Sequence, residues 1–164
     1  LSAHSPELSD ASLAEAFTRE HHEIDAGIEE YLNSEENDAA TRARPLLRVV
    51  DALRRHIYLE EEIVFPYLPQ GMLQMPLMVM RREHGELWRR MDVLEESIRS
   101  ASGDSATLGS DCQELLALLD NHNSKEEPII YPHMDQSLGE EDQRRVAGLL
   151  AGGSLPEGWV CQDA

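Results

Sequence analysis

Two stretches of the chain, HIYLEEEIVFP at 56–66 and HNSKEEPIIYP at 122–132, put a histidine and a glutamate four residues on into otherwise apolar helical stripes. At 100° per residue, Leu46, Val50, Leu53, Ile57 and Val64 share one helix face, with Glu60 inside it and His56 at its edge. Glu61 and Glu62 rotate away by one and two steps of about 100° each. In the later stretch Leu108, Leu115, Leu119, His122 and Glu126 fall in one narrow stripe, and Glu127 does not. Any fold that buries these stripes must also bury their charges, and a buried carboxylate without a partner costs several kcal/mol.

The rest of the chain reads as helix punctuated by turns. Ser9 and Asp10 are suitable N-caps for a first helix over about 10–33, with Leu13, Ala16, Phe17, Ile24, Ile28 and Tyr31 at helical spacing. A second helix runs from Pro45, suited to a first turn, to Phe65, where Pro66 stops it. A third spans about 76–100, SASGD breaks it, and a fourth spans about 105–127 and ends against Pro128. GEEDQRRVAGLLAGG makes a short terminal helix, and the tail from Ser154 to Ala164 packs on the bundle or frays. No segment alternates like a strand. The fold expected is all-α, an up-down-up-down four-helix bundle over about 10–135, with a short C-terminal helix and tail at 139–164, in one domain spanning 1–164.

The chain also duplicates itself. Glu20-His21-x-Glu23-Ile24 matches Glu83-His84-x-Glu86-Leu87 at an offset of 63, and His56-x-x-x-Glu60-Glu61 matches His122-x-x-x-Glu126-Glu127 at 66. Phe65-Pro66 corresponds to Tyr131-Pro132. Near-equal offsets imply pseudo-twofold symmetry, with the first and third helices equivalent, and likewise the second and fourth.

Charge narrows the partners. Fourteen Lys and Arg stand against 32 Asp and Glu, a formal charge of −18, a field that repels nucleic acid and anionic lipid. No apolar run reaches the roughly 20 residues a bilayer span needs, and LSAHSPELSD lacks a basic and apolar leader, so cytoplasm is the expectation. Cys112 and Cys161 match no Cys-x-x-Cys spacing and fit a reducing compartment. Phosphate-binding glycine loops are absent. The methionines Met72, Met75, Met78 and Met80 read as gap-filling core rather than a copper site.

Each long helix therefore offers one inward histidine. His84 sits among Met80, Leu87, Trp88 and Met91; His21 is at the edge of the Phe17, Ile24 and Ile28 stripe, with His22 turned to solvent. Four histidines with Glu60 and Glu126 have few basic neighbours to neutralise them, and a bound metal removes the penalty. Histidine and glutamate at i, i+4 serve one centre from one face. Six such ligands exceed the four of a structural zinc and suit two ions bridged by the glutamates. Mixed imidazole and carboxylate donors favour iron, or manganese, over copper(I).

The order His21, His56-x-x-x-Glu60, His84, His122-x-x-x-Glu126 resembles the hemerythrin-like family, the HHE cation-binding domain, over about 10–135. The resemblance implies a four-helix bundle holding two non-heme Fe ions, oxo- or hydroxo-bridged, with His21, His56, Glu60, His84, His122 and Glu126 as metal ligands. Oxygen-carrying members have a second histidine four residues from that on the third helix. Here that position is Met80 or Trp88, and His22, Tyr58, Glu61, Glu127 or water is left to supply a further donor. The shortfall turns the expectation from O2 carriage to a redox-reactive centre that binds O2, hydrogen peroxide or nitric oxide. A sensor or store of O2 or iron is the alternative. A monomer or weak oligomer is expected, with no nucleic acid or membrane partner. His56→Ala and Glu126→Ala should each lower metal content and Tm together, while His22→Ala should change neither. Elemental analysis and thermal melts check both, and a large loss of metal in His22→Ala would reassign the first-helix ligand.

Overall fold

The computed structural model describes residues 12–100 and 105–164. Ser9 and Asp10 and most of the SASGD break lie outside the described residues. Helix α1 is Leu13–Asn33, α2 Ala39–Tyr58, α3 Gln74–Ser100 and α4 Ser105–Ile129; two shorter helices follow, α5 Met134–Ser137 and α6 Glu140–Gly152. α1 packs on α2 and α4, and α3 packs on α2 and α4, the neighbour pattern of an up-down-up-down bundle. No strand occurs among the described residues, and none of their helices is long and apolar enough to cross a membrane.

Local chemistry explains the boundaries. The Ser12 hydroxyl accepts from the Glu15 N–H while Glu15 reaches back to the Ser12 N–H, a reciprocal cap. The Asp135 carboxylate accepts from the next free amides, Leu13 N–H at 2.8 Å and Ala14 N–H at 3.3 Å, tying α5 to the start of α1. Asp38 caps α2, accepting from Thr41 N–H and its hydroxyl. With that cap, α2 begins a turn and a half before Pro45, which lies inside the helix rather than at its start. Similarly, α4 runs past Pro128 to Ile129.

The larger departure is at the end of α2. Residues Leu59–Val64 form a π-helical turn before Pro66 enters a 3-10 turn at Phe65–Tyr67. The Phe65 N–H donates to the Glu60 carbonyl, five residues back. Such widened turns concentrate at functional sites because they re-aim side chains. Here the turn turns both Glu60 and Glu61 inward, although a regular wheel sends Glu61 away.

The apolar core is in two parts. One contains Ile24, Ile28, Leu53, Ile57, Leu87, Met91, Leu115 and Leu119; the other contains Phe17, Leu59, Val64, Phe65, Met80, Ile130 and Tyr131. Every long helix crosses from one to the other at its inward histidine, so the four histidines form a polar layer between two apolar ones. Of the four methionines read as core, only Met80 is; Met72, Met75 and Met78 stand on the surface.

α1 and α2 approach closely at Gly27, where a Cβ would lie 2.4 Å from Val49 Cγ2. Alanine there gains about 0.5–1 kcal/mol of helix propensity, but overpacking typically costs about 1–3 kcal/mol. Gly27→Ala should therefore lower Tm slightly and Gly27→Leu strongly in thermal denaturation followed by circular dichroism. A rise in Tm for both would mean that the helices do not meet at this residue.

Candidate metal centre

The polar layer is built from eleven side chains, carried by the four long helices, the π turn Leu59–Val64 and the 3-10 turn Tyr131–His133. His21, His56, His84 and His122 are at most 3% exposed, and Glu60 and Glu126 are fully buried. All six residues singled out from the sequence thus converge. Each imidazole is held from behind by a glutamate of the adjacent helix. His21 Nδ1 lies 2.7 Å from Glu127, His56 Nδ1 2.7 Å from Glu20, His84 Nδ1 2.7 Å from Glu61, and His122 Nδ1 2.9 Å from Glu83. A carboxylate can only accept, so each Nδ1 carries the proton and each Nε2 is left to face the centre.

The front faces meet there. His21 Nε2 and His56 Nε2 are 3.1 Å apart, an unfavourable approach of two lone pairs unless a proton or a cation stands between them. His56 Nε2 is 3.1 Å from Glu60 Oε2, and His122 Nε2 is 3.3 Å from Glu126 Oε1. His84 Nε2 lies 3.0 Å from Glu60 Oε1 and 3.9 Å from Glu126 Oε2. Those three atoms are buried without a well-formed hydrogen bond, though the distances are short. Orphaned donors of this kind at one point are what a cation would satisfy.

Two sets of potential ligand atoms, each within 4.8 Å of one another, can hold a metal ion: His21, His56, Glu60 and Glu126, and His84, His122, Glu60 and Glu126. Both glutamates belong to both sets. Glu60 turns Oε2 to His56 and Oε1 to His84, while Glu126 Oε1 stands between His21 and His122, 3.4 and 3.3 Å away, so each carboxylate reaches both sets.

One further polar side chain enters the layer, from a residue that the helical wheel does not reach. The Tyr131 hydroxyl lies 2.6 Å from Glu60 Oε2, 3.0 Å from Glu126 Oε1, 2.9 Å from His21 Nε2 and 3.0 Å from His56 Nε2. It stands in the 3-10 turn Tyr131–His133, beyond the end of α4. The four positions considered from the sequence do other things. His22 is exposed, Tyr58 packs edge-on against Trp159 at 5.1 Å, and Glu61 and Glu127 support histidines from behind. The signal for Tyr131 was the repeat: its counterpart is Phe65, whose ring stacks on His84 at 5.9 Å. Glu20, Glu83, Glu61 and Glu127 also recur in both halves, beside the ligand-type residues.

Charge in the metal-free chain is shared among these groups. Burial alone would lower His122, but the Glu126 and Glu83 carboxylates push it up to about 10. Against the same burial, Glu60 and Glu20 hold His56 well above its usual value, and Glu60 and Glu61 raise His84. Burial would raise Glu126, and His122 and His21 instead hold it well below the carboxylate range. Burial and the Glu126 and Glu60 charges push Tyr131 well above 10.

The signs give a stability profile. A raised histidine contributes fully below its unfolded value of 6.5 and loses that contribution as pH rises to about 10. The lowered Glu126 contributes above its ordinary 4.5 and loses that contribution as pH falls through its folded value. Metal-free protein should therefore melt highest between about pH 4.5 and 6.5 and lose Tm toward pH 9. Metal must displace the Nε2 protons, so metal affinity should rise over the same interval. Melts of both forms across pH check this; a metal-free Tm that climbs steadily to pH 9 contradicts it.

Comparison with known proteins agrees with the site. No curated protein and no solved structure gives a significant match. The family model described as the hemerythrin HHE cation-binding domain matches residues 12–134, a span that contains His21, His56, Glu60, His84, His122, Glu126 and Tyr131. The chain belongs to the hemerythrin HHE cation-binding domain family.

Proposed function

We propose that the centre holds two iron ions, one between His21 and His56, the other between His84 and His122, with Glu60 and Glu126 shared, and that it reacts with O2, hydrogen peroxide or nitric oxide. The observation that carries this reading is the pair of four-residue ligand sets joined through two fully buried carboxylates. Iron supplies a redox couple and open positions for a small ligand. Imidazole and carboxylate donors suit it, and no thiolate belongs to either set.

The chain's own residues set what such a centre does. The four Nδ1–H donors to carboxylate hold each imidazole in one tautomer and raise its basicity at Nε2. The apolar layers above and below keep bulk water out. Two surface cavities adjoin the layer: one of about 450 Å³ is lined by Glu20, Ile24 and Gly27, and one of about 340 Å³ by Glu127, His22 and Tyr131. Both suit ligands of a few atoms reaching a buried centre.

Tyr131 makes the two halves unequal. It provides a fifth protein donor beside His21 and His56, where the other half has the hydrocarbon ring of Phe65. A bound cation would offset the burial and the Glu126 and Glu60 charges that keep the phenol protonated, so that Oη would release its proton to solvent and serve as an oxygen donor. Five donors on one side and four on the other leave open coordination mainly at the His84–His122 ion, which favours reaction over reversible carriage. Two free, buried cysteines fit a reducing compartment such as the cytoplasm.

The test is metal stoichiometry with absorption in one sample. About two irons per chain, an oxo-to-iron band in the near ultraviolet and consumption of peroxide, O2 or NO are expected. Iron held without turnover of any of the three would make the protein a store or sensor. Folded protein that takes up no iron would refute the proposal. Tyr131→Phe should keep iron near two per chain and lose a visible phenolate-to-iron(III) band. If that band persists or never existed, Tyr131 is a hydrogen-bond donor only.

A further inference from the structure

The segment after α6 is tied to one half of the centre. From Gly153, whose carbonyl accepts from Arg55 at 3.3 Å, the chain returns along the bundle. The Trp159 ring meets Tyr58 at 5.1 Å and Trp88 at 5.5 Å, both edge-on, and its indole N–H donates to Glu62 at 3.1 Å. Cys161 is 2% exposed within the apolar core. Asp163 gives its carbonyl to Arg89 at 2.9 Å.

Between these anchors, the backbone N–H of Gln162 donates to Glu61 Oε1 at 3.0 Å, and Glu61 Oε2 holds His84 Nδ1 at 2.7 Å. An unbroken series of bonds thus leads from the segment to an inward Nε2. Contact with α3 is equally close. A Cβ on Gly85, the residue after His84, would lie 2.2 Å from the Asp163 carbonyl oxygen and 2.8 Å from its carbon. Those are backbone atoms, so the segment can lie where it does only because residue 85 is glycine.

The other half is held differently. Glu127, the counterpart of Glu61, is 32% exposed. The half that the segment supports is the one with Phe65 in place of a tyrosine, so that His84 makes up one of only four protein donors.

We propose that residues 159–163 form a clamp that positions His84 through Glu61, so that docking of this segment and retention of the ion at His84 and His122 reinforce one another. Glu61 and Gln162 are positioning residues that touch no ligand themselves. The inference rests on the reading of the centre as a metal site. Coupling is reciprocal: whatever loosens the segment loosens the ion, and the ion in turn holds the segment down.

The decisive variant is Gly85→Ala, which favours the helix by propensity and excludes the segment by contact. Cys161 reports docking, because burial and the nearby Glu61 charge push its thiol up to about 12 while it is covered. Cys112, fully buried between the helices, is the internal reference. Wild-type and variant chains would be loaded with Fe2+ under argon. Alkylation of each cysteine is then read by mass spectrometry, and iron loss to a chelator by absorbance.

In wild type, iron should slow alkylation of Cys161 about ten-fold relative to the metal-free chain, a typical coupling. Gly85→Ala should speed Cys161 alkylation and release one of the two irons about ten-fold faster, the other at its wild-type rate. Gln162→Pro, which removes the N–H donor to Glu61 and also fixes φ at that residue, should reproduce the faster iron release. Cys161 remaining protected in Gly85→Ala would overturn the contact, and Cys161 freed with both iron rates unchanged would overturn the clamp. Failure of the parent chain to bind iron would overturn the metal reading and the clamp with it, and is distinguished because it precedes any substitution.

Discussion

Four imidazole-to-carboxylate bonds, each crossing from one helix to the next, set the arrangement on which the rest depends. α1 gives Glu20 to the histidine of α2, the end of α2 gives Glu61 to that of α3, α3 gives Glu83 to that of α4, and α4 gives Glu127 to that of α1. The ring closes. Because the four imidazoles and three of the four carboxylates, all but the partly exposed Glu127, are nearly dry, sliding a helix by one turn would strand a buried carboxylate and an N–H together. Apolar contacts tolerate repacking, whereas this ring admits one register. It is therefore what places six front-face groups within a few ångströms of each other.

The ring also explains how so much charge is carried in an interior. Its four glutamates, with Glu60 and Glu126, make six carboxylates around four histidines. Lys125 sits against Glu83, and Arg55 is 3.9 Å from Glu20, so two supporting carboxylates have a cation at the rim. Glu60 and Glu126 have only imidazoles and a phenol. Without metal they are balanced by protons on those imidazoles, which is why His56, His84 and His122 titrate high. Two cations would take over that role and leave the outer ring unchanged.

Much of this was legible in the residues. Helical period, caps and the duplicated His-x-x-x-Glu pattern suffice to infer a four-helix bundle and the six inward groups, since those depend on spacing within one helix. What spacing within one helix misses lies between helices. Glu61 and Glu127 stand one step off the inward stripe, which is the direction of the neighbouring helix, so a wheel reads them as outward. The π turn at Leu59–Val64 adds to the error by rotating Glu61 further in. Tyr131 lies past the α-helical run, in a turn made by Pro132, where a 100° wheel has no authority. The start of α2 was missed for a simpler reason: a proline is a good first residue but not a necessary one when Asp38 caps the helix earlier.

Duplication makes a symmetric site, and chemistry at two identical ions has no reason to be directional. Two departures from symmetry supply the direction here. Tyr131 opposite Phe65 adds an oxygen donor on one side only, and the segment around Gln162 buttresses a histidine on the other side only. Both occur just outside the repeated His-x-x-x-Glu core, where a change disturbs neither the ring nor the shared glutamates. The side richer in donors has a supporting glutamate partly open to solvent, while the poorer side has its supporting glutamate pinned by backbone. On the proposed reading, firm positioning would stand in for the missing ligand: a four-donor half would keep an ion by holding each donor still, and would keep positions free for a small molecule by having no fifth.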